Sequence, residues 1–203
     1  MTYRRKDAYY RRAKSEGYRA RSAYKLAELD DRFRLLRRGD RVVDLGAWPG
    51  GWMQVALERV APGGRVVGLD VVAVTPIGAA TSVTGDVADP AVVAAVVKAM
   101  GGAADVVLSD LAPKLTGIAA TDEARRADLA SATLAALPAL LRPGGRLLMK
   151  AFMDPGHAEL ISRLRGAFDD VKTTRPEATR RGSAELYLVG FGYRRTEATH
   201  SCG

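Results

Sequence analysis

Cysteine is nearly missing from this chain: of 203 residues only Cys202 is one, close to the C-terminus. Without a second cysteine no intramolecular disulfide can form, which excludes a disulfide-stapled scaffold. Histidine is almost as scarce. His157 and His200 are the two present, and neither has cysteine or histidine neighbours at ligand spacing, so no metal site is expected. No apolar run reaches the roughly 18 residues that a membrane helix needs. The basic, aromatic start, Met1 to Arg12, has no apolar stretch behind it, so neither a secretory signal nor a membrane association is expected, and the expected location is the cytoplasm.

Hydrophobic residues at 47% and charged residues at 27% are proportions that allow a packed core and argue against a disordered chain. The length suits one domain and is short for two of ordinary size. The expected division is a basic segment over 1–18, a single domain over 19–193 and a disordered tail over 194–203. The net charge of +8 is unevenly placed. Residues 1–41 hold 14 Lys/Arg against 6 Asp/Glu, whereas residues 42–203 hold 17 of each, so the whole excess lies at the N-terminus. That block is interleaved with Tyr3, Tyr9, Tyr10, Tyr18 and Tyr24. Cations neutralise phosphates and aromatic rings stack on unpaired bases, so the block suits RNA; the competing reading is a solvated tail.

Ala23, Leu26, Leu29 and Phe33 recur at helical spacing and predict an amphipathic helix over about 20–34, with Lys25 on its flank. From Arg41 onward, short β-branched runs alternate with helical stretches. The runs are Arg41 to Leu45, Arg65 to Asp70, Thr81 to Thr84, Asp105 to Ser109 and Arg146 to Lys150, the pattern of an α/β fold with a mostly parallel sheet. Asp89 before Pro90, Asp154 before Pro155, and Thr121 before Asp122 and Glu123 mark helix starts. Pro62-Gly63-Gly64 and Pro143-Gly144-Gly145 read as turns into strands. Val171 to Thr174 and Glu185 to Phe191 have no helix between them, which predicts an antiparallel pair at the sheet edge.

The run Asp44-Leu-Gly46-Ala-Trp48-Pro-Gly50-Gly-Trp52 is a strand, a glycine turn and a helix start. Its glycines are spaced G-x-x-x-G-G with a proline inside, not the G-x-G-x-x-G that closes on a pyrophosphate, which disfavours a nicotinamide-dependent oxidoreductase. Asp70 ends the second strand, where an acid commonly accepts hydrogen bonds from ribose, and Asp86 follows the third, placed to reach an adenine amino group. Either could instead cap a turn. Ligands of open α/β sheets bind beyond the carboxyl ends of the strands, so Gly46, Asp70 and Asp86 together predict a nucleoside-type cofactor. Asp110 and Lys150 end two further strands on that rim. A lysine beside apolar strand residues is uncommon; it either snorkels into an ion pair or serves as a proton acceptor.

Five segments carry a family resemblance: Tyr18-Arg-Ala-Arg-Ser-Ala-Tyr-Lys25-Leu, Asp44 to Trp52, Ser109-Asp-Leu-Ala-Pro113, Leu148-Met-Lys-Ala-Phe152 and Ser183-Ala-Glu-Leu-Tyr187. Together they resemble the FtsJ family of ribose 2′-O-methyltransferases, in the family's order and over about Ala8 to Tyr193. The resemblance implies a Rossmann-like, S-adenosylmethionine-dependent methyltransferase fold and a Lys-Asp-Lys-Glu tetrad on Lys25, Asp110, Lys150 and Glu185. It implies that Lys150 removes the 2′-hydroxyl proton while the oxygen attacks the sulfonium methyl in line. It places S-adenosylmethionine on Gly50, Trp52, Asp70, Asp86 and Asp110. A monomer acting on large-subunit ribosomal RNA, at a uridine, is the expectation it brings. Burial and a neighbouring Lys25 would favour a neutral Lys150, whereas ionised Asp110 and Glu185 would favour the charged form; the effects oppose each other. Two positions depart from the family pattern: Trp48 where a small residue is usual, and Lys114 where asparagine is expected.

Lys172, Arg175, Arg180 and Arg181, with Arg19 and Arg21, are the candidate phosphate contacts. The alternatives are a transfer RNA substrate for the same chemistry, and a non-catalytic ribosome-assembly factor that uses the fold only to bind RNA. The filled tetrad argues against the second.

Overall fold

The computed structural model describes Ala13, residues 15–179 and residues 183–195. The tail beyond Arg195, the tyrosines Tyr3, Tyr9 and Tyr10, and Arg180 and Arg181 lie outside the described residues.

The elements in chain order are α1 (Ala23–Phe33), β1 (Arg41–Leu45), α2 (Gly51–Val60), β2 (Arg65–Asp70), β3 (Thr81–Thr84), α3 (Pro90–Met100), β4 (Ala104–Ser109), α4 (Ala119–Leu140), β5 (Leu141–Phe152), α5 (His157–Ala167), β6 (Phe168–Thr174) and β7 (Glu185–Tyr193). The seven strands form one sheet in the order β3-β2-β1-β4-β5-β7-β6. The first five strands of the chain pair parallel, while β7 runs antiparallel to both β5 and β6. The mostly parallel α/β sheet with an antiparallel edge is therefore present as expected.

Helices cover both faces, and the strand residues sort between them with a period of two. Val43, Leu45, Val107, Leu147, Met149, Leu186 and Leu188 pack with α3, α4 and α5. Val42, Val106, Leu108, Leu148, Tyr187 and Val189 pack with α1 and α2, where Leu26, Trp52 and Met53 fill the layer. Each apolar side chain so buried contributes about 1.5–3 kcal/mol, which is why parallel strands without a polar side are stable here. The same parity decides where the polar residues go. Asp44, Asp110, Lys150 and Glu185 lie two residues from Val42, Leu108, Leu148 and Tyr187, so all four belong to the face that α1 covers.

The register of β7 is held by a close approach. Gly190 lies opposite Leu147, and a Cβ there would meet the Phe168 ring at 2.8 Å. Next to Leu147 on β5, Arg146, only 5% exposed, donates from Nη2 to both Asp40 oxygens at 3.0 and 2.9 Å and from Nη1 to the Leu35 carbonyl. This buried pair fastens the α1–β1 connection to β5.

Some boundaries differ from expectation. Asp89 caps α3 as expected, accepting from Ala91 N at 2.8 Å with Pro90 at the first helical position. Asp154 caps nothing: α5 starts at His157 after Gly156, and the Asp154 carboxylate pairs with Arg126 at 3.5 Å. Helix α4 begins at Ala119, before Thr121, and Asp122 in its first turn accepts from Thr116 N at 2.7 Å and from Gly117 N at 3.1 Å. Pro143-Gly144-Gly145 does not precede β5 but lies within it. The β4–β5 ladder shifts register between Ala104 and Val106 at that point, so the turn residues form a bulge rather than an end.

Candidate active site

Three strands and one helix deliver side chains to one rim. Asp110 follows the end of β4; Lys150 lies near the end of β5; Tyr187 is its register partner on β7, and Glu185 begins β7 opposite Phe152. Lys25 reaches the same place from α1, whose Ala23, Leu26 and Leu29 are buried against the sheet. Lys150 Nζ lies 3.0 Å from Asp110 Oδ1 and donates to the Asp110 carbonyl at 2.7 Å. Lys25 Nζ forms an ion pair with Glu185 Oε1. The tetrad predicted from the sequence is thus assembled as two lysine–carboxylate pairs.

Between the pairs stands Tyr187, a residue that the sequence placed in a motif without a role. Its hydroxyl is 3.0 Å from Asp110 Oδ1, 3.4 Å from Glu185 Oε1 and 3.5 Å from Lys25 Nζ. Lys25 Nζ also sits 5.7 Å from the centroid of the Tyr187 ring. Burial, followed by the Asp110 and Glu185 charges, pushes the Tyr187 phenol well above its ordinary value of 10.0. It therefore stays a neutral hydroxyl that donates to a carboxylate. The alternation of β7 could have flagged it, since Tyr187 shares a face with Glu185.

Beside the tetrad, a cleft of about 620 Å³ opens between the ends of β1, β2, β3 and β4. Gly46, Asp70, Asp86 and Asp110 line it, together with Trp48, Val71, Val72 and Asp128. Asp110 lines the cleft and also touches Lys150. Asp70 braces the wall, accepting from Trp48 N at 2.9 Å and from Val72 N at 2.8 Å. Asp86 Oδ1 accepts from Ala88 N at 2.9 Å. Gly50 and Trp52 stand apart from these. Gly50, at φ 112°, faces Ile77 and Arg19, and Trp52 is 3% exposed, donating from Nε1 to the Ser22 carbonyl at 2.8 Å and lying 5.9 Å from the Tyr187 ring.

Asp44 lies wholly buried on β1, and neither of its carboxyl oxygens has a hydrogen-bond partner among the described residues. Desolvation, then Asp110 and Asp70, push its carboxyl well above the ordinary 3.8. The cleft walls are rich in carboxylates, with Arg125 the cation among the lining residues. Such a field repels a pyrophosphate and attracts a cationic nucleoside, so the donor set fits a sulfonium cofactor carrying an ammonium group. Among the described residues, no three His, Cys, Asp or Glu side chains are grouped to hold a metal ion. Nor is any described helix long and apolar enough to cross a membrane.

The candidate RNA contacts are less free than their composition suggests. Tyr18 OH donates to Glu58 at 2.8 Å and Tyr24 OH to Glu16 at 2.9 Å, and the two rings meet edge to face at 5.7 Å. The Tyr18 phenol is pushed up to about 12 by burial and by Glu58. Arg19, though exposed, donates to the Thr75 carbonyl at 2.6 Å and the Pro76 carbonyl at 2.7 Å. Lys172 pairs with Asp170 at 3.4 Å, while Arg175 is exposed. Trp48 is 57% exposed at the cleft mouth, and the Lys114 carbonyl accepts from Arg125 at 2.9 Å.

Comparison with known proteins agrees with this arrangement. The ribosomal RNA large subunit methyltransferase E of Methanothrix thermoacetophila is 46% identical over 190 residues, covering 94% of this chain and 74% of the relative. The protein of the same name from Acidiphilium cryptum is 47% identical over 188 residues, covering 93% of this chain and 83% of the relative. A crystal structure described as a ribosomal RNA methyltransferase of Plasmodium falciparum superposes with a TM-score of 0.79 at 27% identity, over 87% of this chain and 98% of that one. Aeropyrum pernix fibrillarin, solved with S-adenosyl-L-methionine, shares the fold at 14% identity and a TM-score of 0.55, over 77% of this chain and 68% of that one. Residues 18–193 match the FtsJ-like methyltransferase family, and the chain belongs to that family.

Proposed function

We propose that this protein transfers a methyl group from S-adenosylmethionine to the 2′-hydroxyl of a ribose in large-subunit ribosomal RNA. One observation carries the reading: Asp110 is at once a wall of the nucleoside-sized cleft and the partner of Lys150, so a bound donor and a tetrad-held acceptor meet at one carboxylate. The names of the relatives support the choice of RNA.

When bound, S-adenosylmethionine supplies an electrophilic methyl group on sulfur. Gly46 and the carboxylates of Asp70 and Asp86 would hold its nucleoside end, and the acidic walls would favour its positive charge. Lys150 Nζ would take the 2′-hydroxyl proton, a role that its position on the rim beside Asp110 supports. Asp110 orients Lys150 through two contacts, and Glu185 with Tyr187 fixes Lys25 nearby. Holding donor and acceptor in line supplies much of the rate, because alignment replaces a bimolecular encounter.

The test uses labelled S-adenosylmethionine with three substrates: assembled large subunits, naked large-subunit ribosomal RNA and transfer RNA. Label in ribosomal RNA, at a position resistant to alkaline cleavage, is the expected outcome. Label in transfer RNA alone moves the substrate to the other class, and label in no RNA defeats the proposal.

A further inference from the structure

The segment after β2, residues 71–80, forms no helix or strand, yet its first residues, Val71 and Val72, are a wall of the cleft. Both are exposed, at 67% and 49%, so core packing does not fix them. Further along the segment Val74 and Ile77 are buried in the core, and polar contacts fasten its backbone on two sides as well. On one side Asp70 accepts from Val72 N and Trp48 N. On the other, the Arg19 guanidinium donates to Thr75 O at 2.6 Å, to Pro76 O at 2.7 Å and, more weakly, to Pro49 O at 3.5 Å. One side chain thereby ties the segment after β2 to the glycine loop between β1 and α2.

Two further contacts hold Arg19 in that position. Its backbone N donates to Gln54 Oε1 at 2.8 Å, and Gln54 Nε2 donates to Gly17 O at 2.9 Å. A side chain at Gly50 would meet Ile77 at 2.2 Å and Arg19 Cδ at 3.3 Å, so the glycine leaves the space through which the arginine crosses. A forked guanidinium that bridges two carbonyls is a geometry that lysine cannot reproduce.

We infer that Arg19 is a positioning residue for the S-adenosylmethionine cleft, through the wall at residues 71–76, and not a phosphate contact. This rests on the reading of the cleft given under Proposed function. The segment that delivers Lys25 to the tetrad thereby also sets the affinity for the methyl donor. A ligand that reorders this segment would change cofactor binding, and by linkage the cofactor would change binding of that ligand equally.

The test is calorimetry with S-adenosylmethionine, and filter binding of large-subunit ribosomal RNA across a salt series, on the full chain and on Arg19→Ala and Arg19→Lys. Arg19→Ala is expected to weaken cofactor binding about tenfold and Arg19→Lys about threefold, from the loss of two and of one charge-assisted hydrogen bond. The KM for the cofactor rises in parallel while kcat at saturation and the salt slope for RNA stay as in the parent protein. If Arg19→Ala fails to fold, Arg19→Lys carries the test. Unchanged cofactor affinity, or an RNA salt slope lower by about one, overturns the inference and returns Arg19 to the phosphate contacts. A parent protein that binds no S-adenosylmethionine defeats the functional reading itself, and this inference with it.

Discussion

The Tyr187 hydroxyl donates to Asp110 Oδ1 at 3.0 Å, so a neutral phenol links the Lys150–Asp110 pair to the Lys25–Glu185 pair. Removing the hydroxyl while keeping the ring separates linkage from packing. In Tyr187→Phe, kcat in single-turnover methylation is expected to fall by no more than about tenfold, one hydrogen bond to a carboxylate. Tyr187→Ala, by contrast, empties a fully buried site and should cost about 3–5 kcal/mol of stability in urea unfolding. Equal stability of the two variants would show that the ring contributes nothing to the core.

In the proposed mechanism Lys150 acts on the acceptor, and it is not among the residues that line the cofactor cleft. Lys150→Ala should lower kcat by about 10²–10⁴ while S-adenosylmethionine affinity measured by calorimetry stays within about twofold. Full activity in this variant would remove Lys150 from the mechanism.

Arg146 depends on Asp40 for its burial. Asp40→Ala leaves a guanidinium that is 5% exposed without its counter-ion, and a loss of about 3–5 kcal/mol is expected. Chemical denaturation at neutral pH measures it. Asp40 and Arg146 replaced together should be less harmful than Asp40 replaced alone.

Asp44 gives the fold a pH dependence of opposite sign to a salt-bridged acid. Its carboxyl is raised in the folded state, so above 3.8 the folded chain holds a proton that the unfolded chain has released. Stability from this group is fully present below the unfolded value and is lost as pH rises toward the folded one. Asp44→Asn, which cannot ionise, should gain in Tm relative to the parent as pH is raised from 4 to 8. A difference that is flat with pH would show that Asp44 is ionised in the fold.

Asp110 and Lys150 were legible at the ends of apolar runs and Lys25 on the flank of an amphipathic stripe, whereas Glu185 and the grouping of the four came from the family resemblance and not from periodicity. Asp70 and Asp86 were legible because each closes or follows a strand in order after the glycine loop. Arg19 was not, since a cation in a basic block reads as solvated or RNA-facing, and the carbonyls of Thr75 and Pro76 that it meets carry no side-chain signature. Tyr187 was missed because an aromatic on a strand reads as core, which it also is. Asp154 shows the limit of local capping rules: the sequence marks a carboxylate before proline, but Arg126, 28 positions earlier, competes for it.

The bare backbone at Gly190 has a cost that evolution of this chain must respect. Because Phe168 occupies the space of the missing side chain, adding or deleting one residue in β7 would turn Glu185 and Tyr187 toward α4 and α5, leaving Lys25 without its acid and Asp110 without the Tyr187 hydroxyl. Length changes in this strand should therefore be silent in circular dichroism before they are silent in methylation.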